Sequence, residues 1–252
     1  MVDLHCHILP DMDDGARDFE TSLSMCRIAQ KNGIKHIVAT PHISCLDDVD
    51  AFVEKRDAQI EKLTKKIEEN GLNIKIYPGA EVYVDDDIFF SRKLNRLTIN
   101  NSRYLLVEFA FEGITFPQII TYLDAVVDMG LVPVIAHPER YGYFQYNYEY
   151  INDLMRRGAI FQINAASLAS MDGPNEFELA YAMAFNGIAS FIGTDAHSNR
   201  YRSNNISEMI ELFPPDISQK NMESMLSDNG KYILDNEELP YLHRREIFKR
   251  LF

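Results

Sequence analysis

Short runs rich in valine and isoleucine alternate along this chain with longer segments of helical periodicity. The runs predict seven strands, Val2–His7, Ile34–His42, Ile74–Glu81, Tyr104–Glu108, Val132–His137, Ile160–Asn164 and Ile188–Asp195. The segments between them predict five helices, Phe19–Asn32, Asp47–Asn70, Phe116–Met129, Tyr148–Arg157 and Pro174–Asn186. A glycine follows each predicted helix, as is common at helix C-termini. Because strands that alternate with helices are typically parallel, the pattern predicts an α/β fold with crossover helices.

The length of the chain fits one domain of this class. Its 252 residues match the roughly 250 residues of an α/β barrel. No linker or low-complexity segment interrupts the alternation of strands and helices. We therefore expect residues 1–252 to form a single catalytic domain.

Histidines and carboxylates stand at or just after the ends of the predicted strands. Five of the seven histidines and four acidic residues occupy such positions. In a parallel barrel the carboxyl ends of the strands all face one rim, where barrel enzymes place their chemistry. These residues are His5, His7, Asp14, His42, Glu81, Glu108, His137, Asp195 and His197. We expect them to form one ring of metal ligands.

The mixture of imidazoles and carboxylates favours a multinuclear manganese, iron or zinc site over a calcium site or a structural zinc site. A calcium site would offer oxygen atoms only, and a structural zinc site would use thiolates. Three divalent cations carry more positive charge than four carboxylates carry negative charge, so such a site would attract anions even in an acidic protein. Paired metals clamp the oxygens of a phosphoryl group during its transfer. Arg140 and Arg202 have the forked guanidinium that binds phosphate oxygens.

Composition and charge exclude several other classes of protein. The formal net charge of −13 opposes binding to nucleic acid, which normally requires a basic surface. No segment approaches the roughly 20 apolar residues of a membrane span, and residues 1–10 lack the basic and apolar regions of a secretory signal. The three cysteines are odd in number and form no CxxC pair, which disfavours disulfides. We expect a cytoplasmic protein with reduced thiols.

Thiol-based tyrosine phosphatase chemistry is excluded by spacing. That chemistry needs a cysteine of low pKa with an arginine six residues later, closing a loop around the phosphate. The residues at that spacing from Cys6, Cys26 and Cys45 are Met12, Asn32 and Ala51. Any hydrolysis of phosphotyrosine by this chain would therefore depend on metal.

The order of the motifs resembles the PHP (polymerase and histidinol phosphatase) superfamily. The motifs are Asp3-Leu4-His5-Cys6-His7, Asp13-Asp14-Gly15, Thr40-Pro41-His42, Gly79-Ala80-Glu81-Val82-Tyr83, Leu106-Val107-Glu108-Phe109, Val134-Ile135-Ala136-His137-Pro138-Glu139-Arg140-Tyr141, Gln162-Ile163-Asn164 and Asp195-Ala196-His197. The segments 13–15, 79–83 and 137–141 resemble in particular the bacterial CpsB/CapC/YwqE-type protein-tyrosine phosphatases of capsular and exopolysaccharide synthesis. The resemblance extends from Met1 to about Arg202.

This resemblance implies a distorted seven-stranded (β/α)7 barrel with a trinuclear site, usually loaded with manganese. The ligands implied for one metal are His5, His7, Glu81 and Asp195, with Glu81 also bridging. The ligands implied for the other metals are Asp14, His42, Glu108, His137 and His197. The residues implied for substrate binding and catalysis are Arg140, Arg202 and His42. A metal-bridging hydroxide would attack phosphotyrosine in the tail of a bacterial tyrosine kinase that controls polysaccharide polymerisation.

Two other functions stay open at this point. One is another PHP phosphoesterase, acting on histidinol phosphate or a nucleotide, and the other is a catalytically silent, metal-containing module that binds a kinase. Five tyrosines between Tyr141 and Tyr150 would either line a cleft or pack their loop onto the barrel. The basic, amphipathic segment Tyr241–Phe252 predicts a terminal helix that docks on the barrel or contacts a membrane or a kinase. No feature of the sequence predicts the oligomeric state.

Overall fold

Two parallel sheets form the framework of the structure, a computed structural model that describes residues 1–44, 48–89, 91 and 93–240. Over these residues the strands are β1 (Val2–Cys6), β2 (His36–Ala39), β3 (His42–Ser44), β4 (Lys75–Pro78), β5 (Glu81–Tyr83), β6 (Tyr104–Glu108), β7 (Val132–Ala136), β8 (Ile160–Asn164) and β9 (Phe191–Gly193). One sheet has the order β1-β2-β4 and the other has the order β3-β5-β6-β7-β8-β9. All neighbouring strands in both sheets are parallel. The predicted α/β class is confirmed.

Two of the seven predicted strands are interrupted, and the other five are present. The run Ile34–His42 divides into β2 and β3 at Pro41, which has no N–H to give to a ladder. The run Ile74–Glu81 divides into β4 and β5 at Gly79, where an added Cβ would lie 2.6 Å from Val38 Cγ1. Both breaks transfer the chain from the first sheet to the second. The described strands therefore do not form the expected seven-stranded barrel as one continuous ladder.

Hydrogen bonds join the carboxyl end of β1 to the segment after β9. The backbone N–H of Asp195 donates to His5 O at 2.9 Å. The buried carboxylate of Asp3 accepts from the backbone N–H and the hydroxyl of Thr194 at 3.0 and 2.6 Å. These bonds bring the ends of the first and last strands side by side.

The five predicted helices are confirmed to within two residues at each end. The described α-helices are α1 (Phe19–Lys31), α2 (Val49–Glu69), α3 (Phe116–Asp128), α4 (Gly142–Gln145), α5 (Tyr148–Arg156), α6 (Ala165–Leu168), α7 (Pro174–Phe185), α8 (Ile206–Ile210), α9 (Gln219–Glu223) and α10 (Asn229–Leu234). Asp18 caps α1 by accepting from the backbone N–H of Thr21, and Gly33 follows the helix at a φ of +78°. The short helices α4, α6 and α8 to α10 were not predicted, because each is too brief to establish a helical period.

Apolar side chains close the amino-terminal side of the strands. Val2 and Leu4 of β1 and Phe191 of β9 are buried in one cluster with Ile233 of α10. This packing leaves the carboxyl ends of the strands for polar side chains, as the sequence predicts.

Several expectations concern the ends and the cysteines of the chain. Cys6 and Cys26 are free and buried, whereas Cys45 lies outside the described residues. The predicted terminal helix Tyr241–Phe252 and the first predicted residue of α2, Asp47, also lie outside them. Among the helices that the structure describes, none combines the length and the apolar character needed to cross a membrane.

Candidate metal centre

Side chains of both sheets meet at the carboxyl ends of the strands. The Nε2 atoms of His5 and His7, near the end of β1, lie 3.2 Å apart. Glu81 Oε2, at the start of β5, lies 3.0 Å from the first nitrogen and 3.2 Å from the second. Asp195 Oδ1, just after β9, lies 3.5 Å from both. The ligand atoms of these four residues converge on one point. Because all four side chains are buried, this point is shielded from solvent.

Two further groups share ligands with this one. His7 also belongs to a group with Asp14, His42 and His197, in which His197 Nε2 lies 3.4 Å from Asp14 Oδ1. The other group consists of His42, Glu81 and Glu108.

His137 completes the set at the end of β7. Its Nε2 atom lies 3.0 Å from Glu81 Oε1 and 3.5 Å from Glu108 Oε1. The structure therefore brings together all nine residues that the sequence singles out.

Hydrogen bonds orient the imidazoles so that lone pairs face the centre. His7 Nδ1 donates to Asp13 Oδ2 at 2.6 Å, His5 Nδ1 donates to Gln162 Oε1 at 2.7 Å, and His197 Nδ1 donates to the backbone oxygen of Asp195 at 2.9 Å. In the neutral form of each ring, Nε2 is then an acceptor directed at carboxylate oxygens that also only accept. His197 Nε2 is buried and has no hydrogen-bond partner among the residues that the structure describes. A cation between these atoms satisfies all of them, so the residues present fit divalent metals.

The pKa values of the central residues reflect the same crowding of charge. Burial opposes protonation of His5, but the carboxylates of Glu81 and Asp195 outweigh it and raise its pKa to about 9. Burial likewise opposes protonation of His7, and hydrogen bonds to Asp13 and Glu81 raise its pKa to about 10. Both imidazoles must lose a proton when a cation binds, so metal binding at this site is coupled to pH.

The pKa values of His197, Glu108 and Glu81 are also shifted from their ordinary values. Burial and the nearby His7 lower the pKa of His197 to about 4, which leaves its Nε2 free to bind a cation at neutral pH. Burial and the carboxylate of Glu81 raise the pKa of Glu108 to about 7. Although burial opposes ionisation of Glu81, the neighbouring imidazoles hold its pKa well below the usual range.

Both predicted arginines reach the edge of the centre. Arg202 Nη2 lies 2.6 Å from Asp195 Oδ2, and Arg140 Nη1 lies 3.5 Å from the same oxygen. The other oxygen of Asp195 faces the histidines, so this carboxylate stands between the two groups. A cavity of about 280 Å³ is lined by both arginines and Asp195 and opens beside the metal ligands. Its guanidinium groups are placed to bind an anion next to the centre.

Three residues of the site have left-handed backbone conformations. The φ angles of His137, Asp195 and Arg202 are +31°, +50° and +49°. Residues other than glycine rarely adopt such angles, and they cluster at functional sites. The backbone is thus strained where these side chains turn towards the centre.

Aromatic side chains form one wall of the site. Phe111 is 42% exposed, and its ring is stacked on that of His137 at an interplanar angle of 14°. The guanidinium of Arg140 lies over Phe111, 5.1 Å from the ring centre. Phe111 therefore offers an apolar surface beside a group that is suited to bind phosphate.

Most of the tyrosines after Arg140 pack the loop. Tyr141 is fully buried and its hydroxyl accepts from the backbone N–H of Phe109. Tyr143 stacks on Tyr141, and Tyr150 stacks on Phe116 with ring centres 3.7 Å apart. The packing alternative for this segment is thus the correct one for these three.

Three residues outside the nine predicted ligands, Asp13, Gln162 and Asn164, hold the ligands in place, a role that the sequence does not predict. Asp13, in the motif Asp13-Asp14-Gly15, accepts a hydrogen bond from His7 Nδ1. Gln162 and Asn164 lie on the same face of β8, and Asn164 Nδ2 donates to Asp195 Oδ2 at 2.9 Å. The two-residue spacing of these amides, which end a buried strand, was the available signal.

Comparison with known proteins places the chain in a family. The model of the family described as "Capsular polysaccharide synthesis, CpsB/CapC" matches residues 1–235. The chain belongs to the CpsB/CapC family. It is 30% identical to the tyrosine-protein phosphatase YwqE of Bacillus subtilis, and 33% identical to CapC of Staphylococcus aureus. Both alignments cover 95% of this chain and 93% of the relative.

Solved structures agree with this assignment. The chain matches a crystal structure described for YwqE of Bacillus subtilis and CpsB of Streptococcus pneumoniae with a TM-score of 0.83. Those two proteins are described as metal-dependent tyrosine phosphatases. The match has 28% identity and covers all of both chains. Histidinol phosphate phosphatase of Lactococcus lactis matches with a TM-score of 0.52 at 17% identity, covering 84% of this chain and 91% of that one. The second likeness shows a shared fold alone.

Proposed function

We propose that this chain is a metal-dependent protein-tyrosine phosphatase of capsular or exopolysaccharide synthesis. The observation that carries the proposal is the convergence of His5, His7, Glu81 and Asp195 on one point, with Arg140 and Arg202 at its edge. Membership of the CpsB/CapC family supports the same activity. Within this proposal, residues 1–252 form one catalytic domain, and the two sheets together make a distorted barrel.

The metal ligands in this proposal are the nine residues predicted from the sequence. They are His5, His7, Asp14, His42, Glu81, Glu108, His137, Asp195 and His197. Their three overlapping groups would hold three divalent cations. We propose that these cations are manganese, and iron and zinc also suit mixed imidazole and carboxylate ligands. Such cations supply a nucleophilic water at neutral pH and offset negative charge on the phosphoryl oxygens.

Residues at the edge of the centre bind and orient the substrate. Arg140 and Arg202 exchange their contacts with Asp195 for the non-bridging oxygens of the phosphate. Phe111 packs against the phenyl ring of the phosphotyrosine, which a phosphoserine lacks. His42 is half exposed at the junction of two ligand groups, where it contributes to catalysis as well as to metal binding.

The described cysteines do not act as nucleophiles in this mechanism. Burial raises the pKa of the Cys6 thiol well above its usual value, and burial raises that of Cys26 to about 12. A buried thiol with a raised pKa is a poor nucleophile. The chemistry is therefore assigned to the metal centre.

The proposed partner is the phosphotyrosine tail of a bacterial tyrosine kinase, in the cytoplasm. The net charge of −13 argues against a nucleic-acid substrate. A peptide tail reaches the exposed arginines and Phe111 without entering the buried part of the centre.

Phosphate release from matched phosphotyrosine and phosphoserine peptides tests the proposal. We expect release from the phosphotyrosine peptide alone, its loss with EDTA and its return with Mn²⁺. Release from histidinol phosphate or a nucleotide, but from neither peptide, would identify a different phosphoesterase. Metal binding without turnover of any of these substrates would identify a binding module.

A further inference from the structure

A chain of buried hydrogen bonds connects two neighbouring residues of the proposed metal centre, His5 and Asp195. His5 Nδ1 lies 2.7 Å from Gln162 Oε1, Gln162 Nε2 donates to Asn164 Oδ1 at 2.8 Å, and Asn164 Nδ2 donates to Asp195 Oδ2 at 2.9 Å. Gln162 is fully buried and Asn164 is 4% exposed. Neither amide is one of the nine predicted ligands, yet together they link two of them.

The direction of each bond in this chain is fixed from both ends. The carboxylate of Asp195 only accepts, so Asn164 must present its NH₂ group to it and its oxygen to Gln162. Gln162 must then present its own NH₂ group to Asn164 and its oxygen to His5. At the other end, the backbone N–H of His137 also points to Gln162 Oε1 at 3.4 Å, and it can only donate. Both ends require the same orientation of Gln162, which makes Nδ1 of His5 the protonated nitrogen.

We propose that Gln162 and Asn164 are positioning residues that fix His5 with its Nε2 lone pair towards the metal and hold Asp195 in register with it. This inference deepens the metal centre of the proposed function and rests on it. His5 Nε2 and Asp195 Oδ1 lie 3.5 Å apart in one ligand group. The two amides bind the other polar atom of each side chain, His5 Nδ1 and Asp195 Oδ2. Groups that orient metal ligands in this way typically contribute about 10- to 100-fold to metal affinity.

Gly193 of β9 lies close against the side chain of Gln162. An added Cβ at Gly193 of β9 would lie 2.8 Å from Gln162 Nε2 and 2.9 Å from His5 Cβ. Glycine at this position therefore leaves room for the Gln162 side chain of β8 to reach His5 of β1. A Gly193→Ala variant would displace Gln162, and His5 with it, while keeping every polar group of the chain of hydrogen bonds.

Mn²⁺ affinity of the full-length protein tests the proposal without a phosphatase assay. Electron paramagnetic resonance of free Mn²⁺ gives the dissociation constants of wild type, Gln162→Met, Gln162→Glu and Gly193→Ala. We expect Gln162→Met to weaken binding about 10- to 100-fold, because it removes the acceptor for His5 Nδ1. Gln162→Glu keeps that acceptor and should weaken binding less. A role in packing alone predicts the reverse order, since methionine matches glutamine in length and glutamate buries a charge.

A matched pair of asparagine variants tests the second link. Asn164→Leu should weaken Mn²⁺ binding, whereas Asn152→Leu removes a similarly buried amide on α5 and should not. In the Zn²⁺-loaded protein, ¹⁵N NMR should show a protected Nδ1–H on His5 that is lost in Gln162→Met. If Gln162→Met does not fold, Gly193→Ala carries the first test, and wild-type affinity in that variant would overturn the proposal.

The remaining outcomes separate this proposal from the proposed function. Tight Mn²⁺ binding with the expected order of variants, but no release of phosphate from any peptide, would support the two positioning residues and contradict the phosphatase. Equal affinities for Gln162→Met and wild type would overturn the role of Gln162 whatever the activity. A wild-type protein that binds no Mn²⁺ or Zn²⁺ would overturn both.

Discussion

Replacing Asp13 with asparagine removes the negative charge of a side chain that accepts three hydrogen bonds. Its Oδ2 atom accepts from His7 Nδ1 at 2.6 Å and from the backbone N–H of His42 at 2.9 Å, and Oδ1 accepts from the backbone N–H of Gly15 at 2.9 Å. The three donors hold the pKa of Asp13 down at about 2 against the effect of burial. Asp13 thus organises the segment between β1 and α1 around the metal centre.

The expected loss of stability follows from these bonds. An asparagine has one acceptor oxygen, so its NH₂ group faces at least one backbone N–H or the ring of His7. An unpaired buried donor costs about 1–3 kcal/mol, and the lost charge weakens the remaining bonds by about 1 kcal/mol more. We expect Asp13→Asn to destabilise the EDTA-treated protein by about 2–4 kcal/mol, which lowers its melting temperature by about 5–15 °C.

Thermal unfolding followed by circular dichroism measures this effect, with Asp14→Asn as the matched control. Asp14 carries the same charge one residue later, but its side chain is 69% exposed. Asp14→Asn should therefore leave the melting temperature of the EDTA-treated protein near that of wild type while weakening Mn²⁺ binding. Equal melting temperatures for wild type and Asp13→Asn would refute the reasoning, and so would an equal loss in both variants.

Four further predictions concern pH, metal binding, substrate and thiol. Protonated His5 and His7 stabilise the metal-free protein fully below the unfolded pKa of 6.5, and this contribution is lost as pH rises towards their folded pKa values of about 9 and 10. The melting temperature of the metal-free protein should therefore fall over that pH range, and Mn²⁺ should reduce the fall. A melting temperature that does not change with pH would contradict this. His42→Ala should abolish turnover and lower the bound metal measured by mass spectrometry while the far-ultraviolet spectrum is unchanged; normal turnover would remove His42 from the site. Arg202→Ala should lower kcat/KM for a phosphotyrosine peptide by about 10- to 100-fold, since a charge-assisted hydrogen bond contributes about 1.5–3 kcal/mol, and an unchanged value would place the phosphate elsewhere. Cys6→Ser should retain turnover, and its loss would reopen thiol chemistry.

The fold class and the long helices were predictable because long periodic segments carry a strong local signal. Pro41 and Gly79 are present in the sequence, but their division of two predicted strands between two sheets was not predictable from it. Each break depends on how the chain meets a neighbouring strand, as the close approach of Gly79 to Val38 illustrates. A division between two sheets is a tertiary feature that strand propensity does not contain.

The candidate ligands were predictable because parallel strands bring their carboxyl ends to the same edge. His5 and Asp195 are 190 residues apart in sequence, yet each lies at the carboxyl end of a buried strand, and that position was the signal that predicted their proximity. The residues that orient the ligands were not predictable in the same way. Asp13 and Gln162 are ordinary polar residues until the structure shows which ring nitrogen each one faces.

Titration of the EDTA-treated protein with Mn²⁺ tests the central claim most directly. Phosphate release from a phosphotyrosine peptide and the bound manganese per chain are measured at each step. We predict no release without metal, and a rate that rises with occupancy of the three overlapping ligand groups. Full turnover by a protein shown to contain no bound metal would contradict the account.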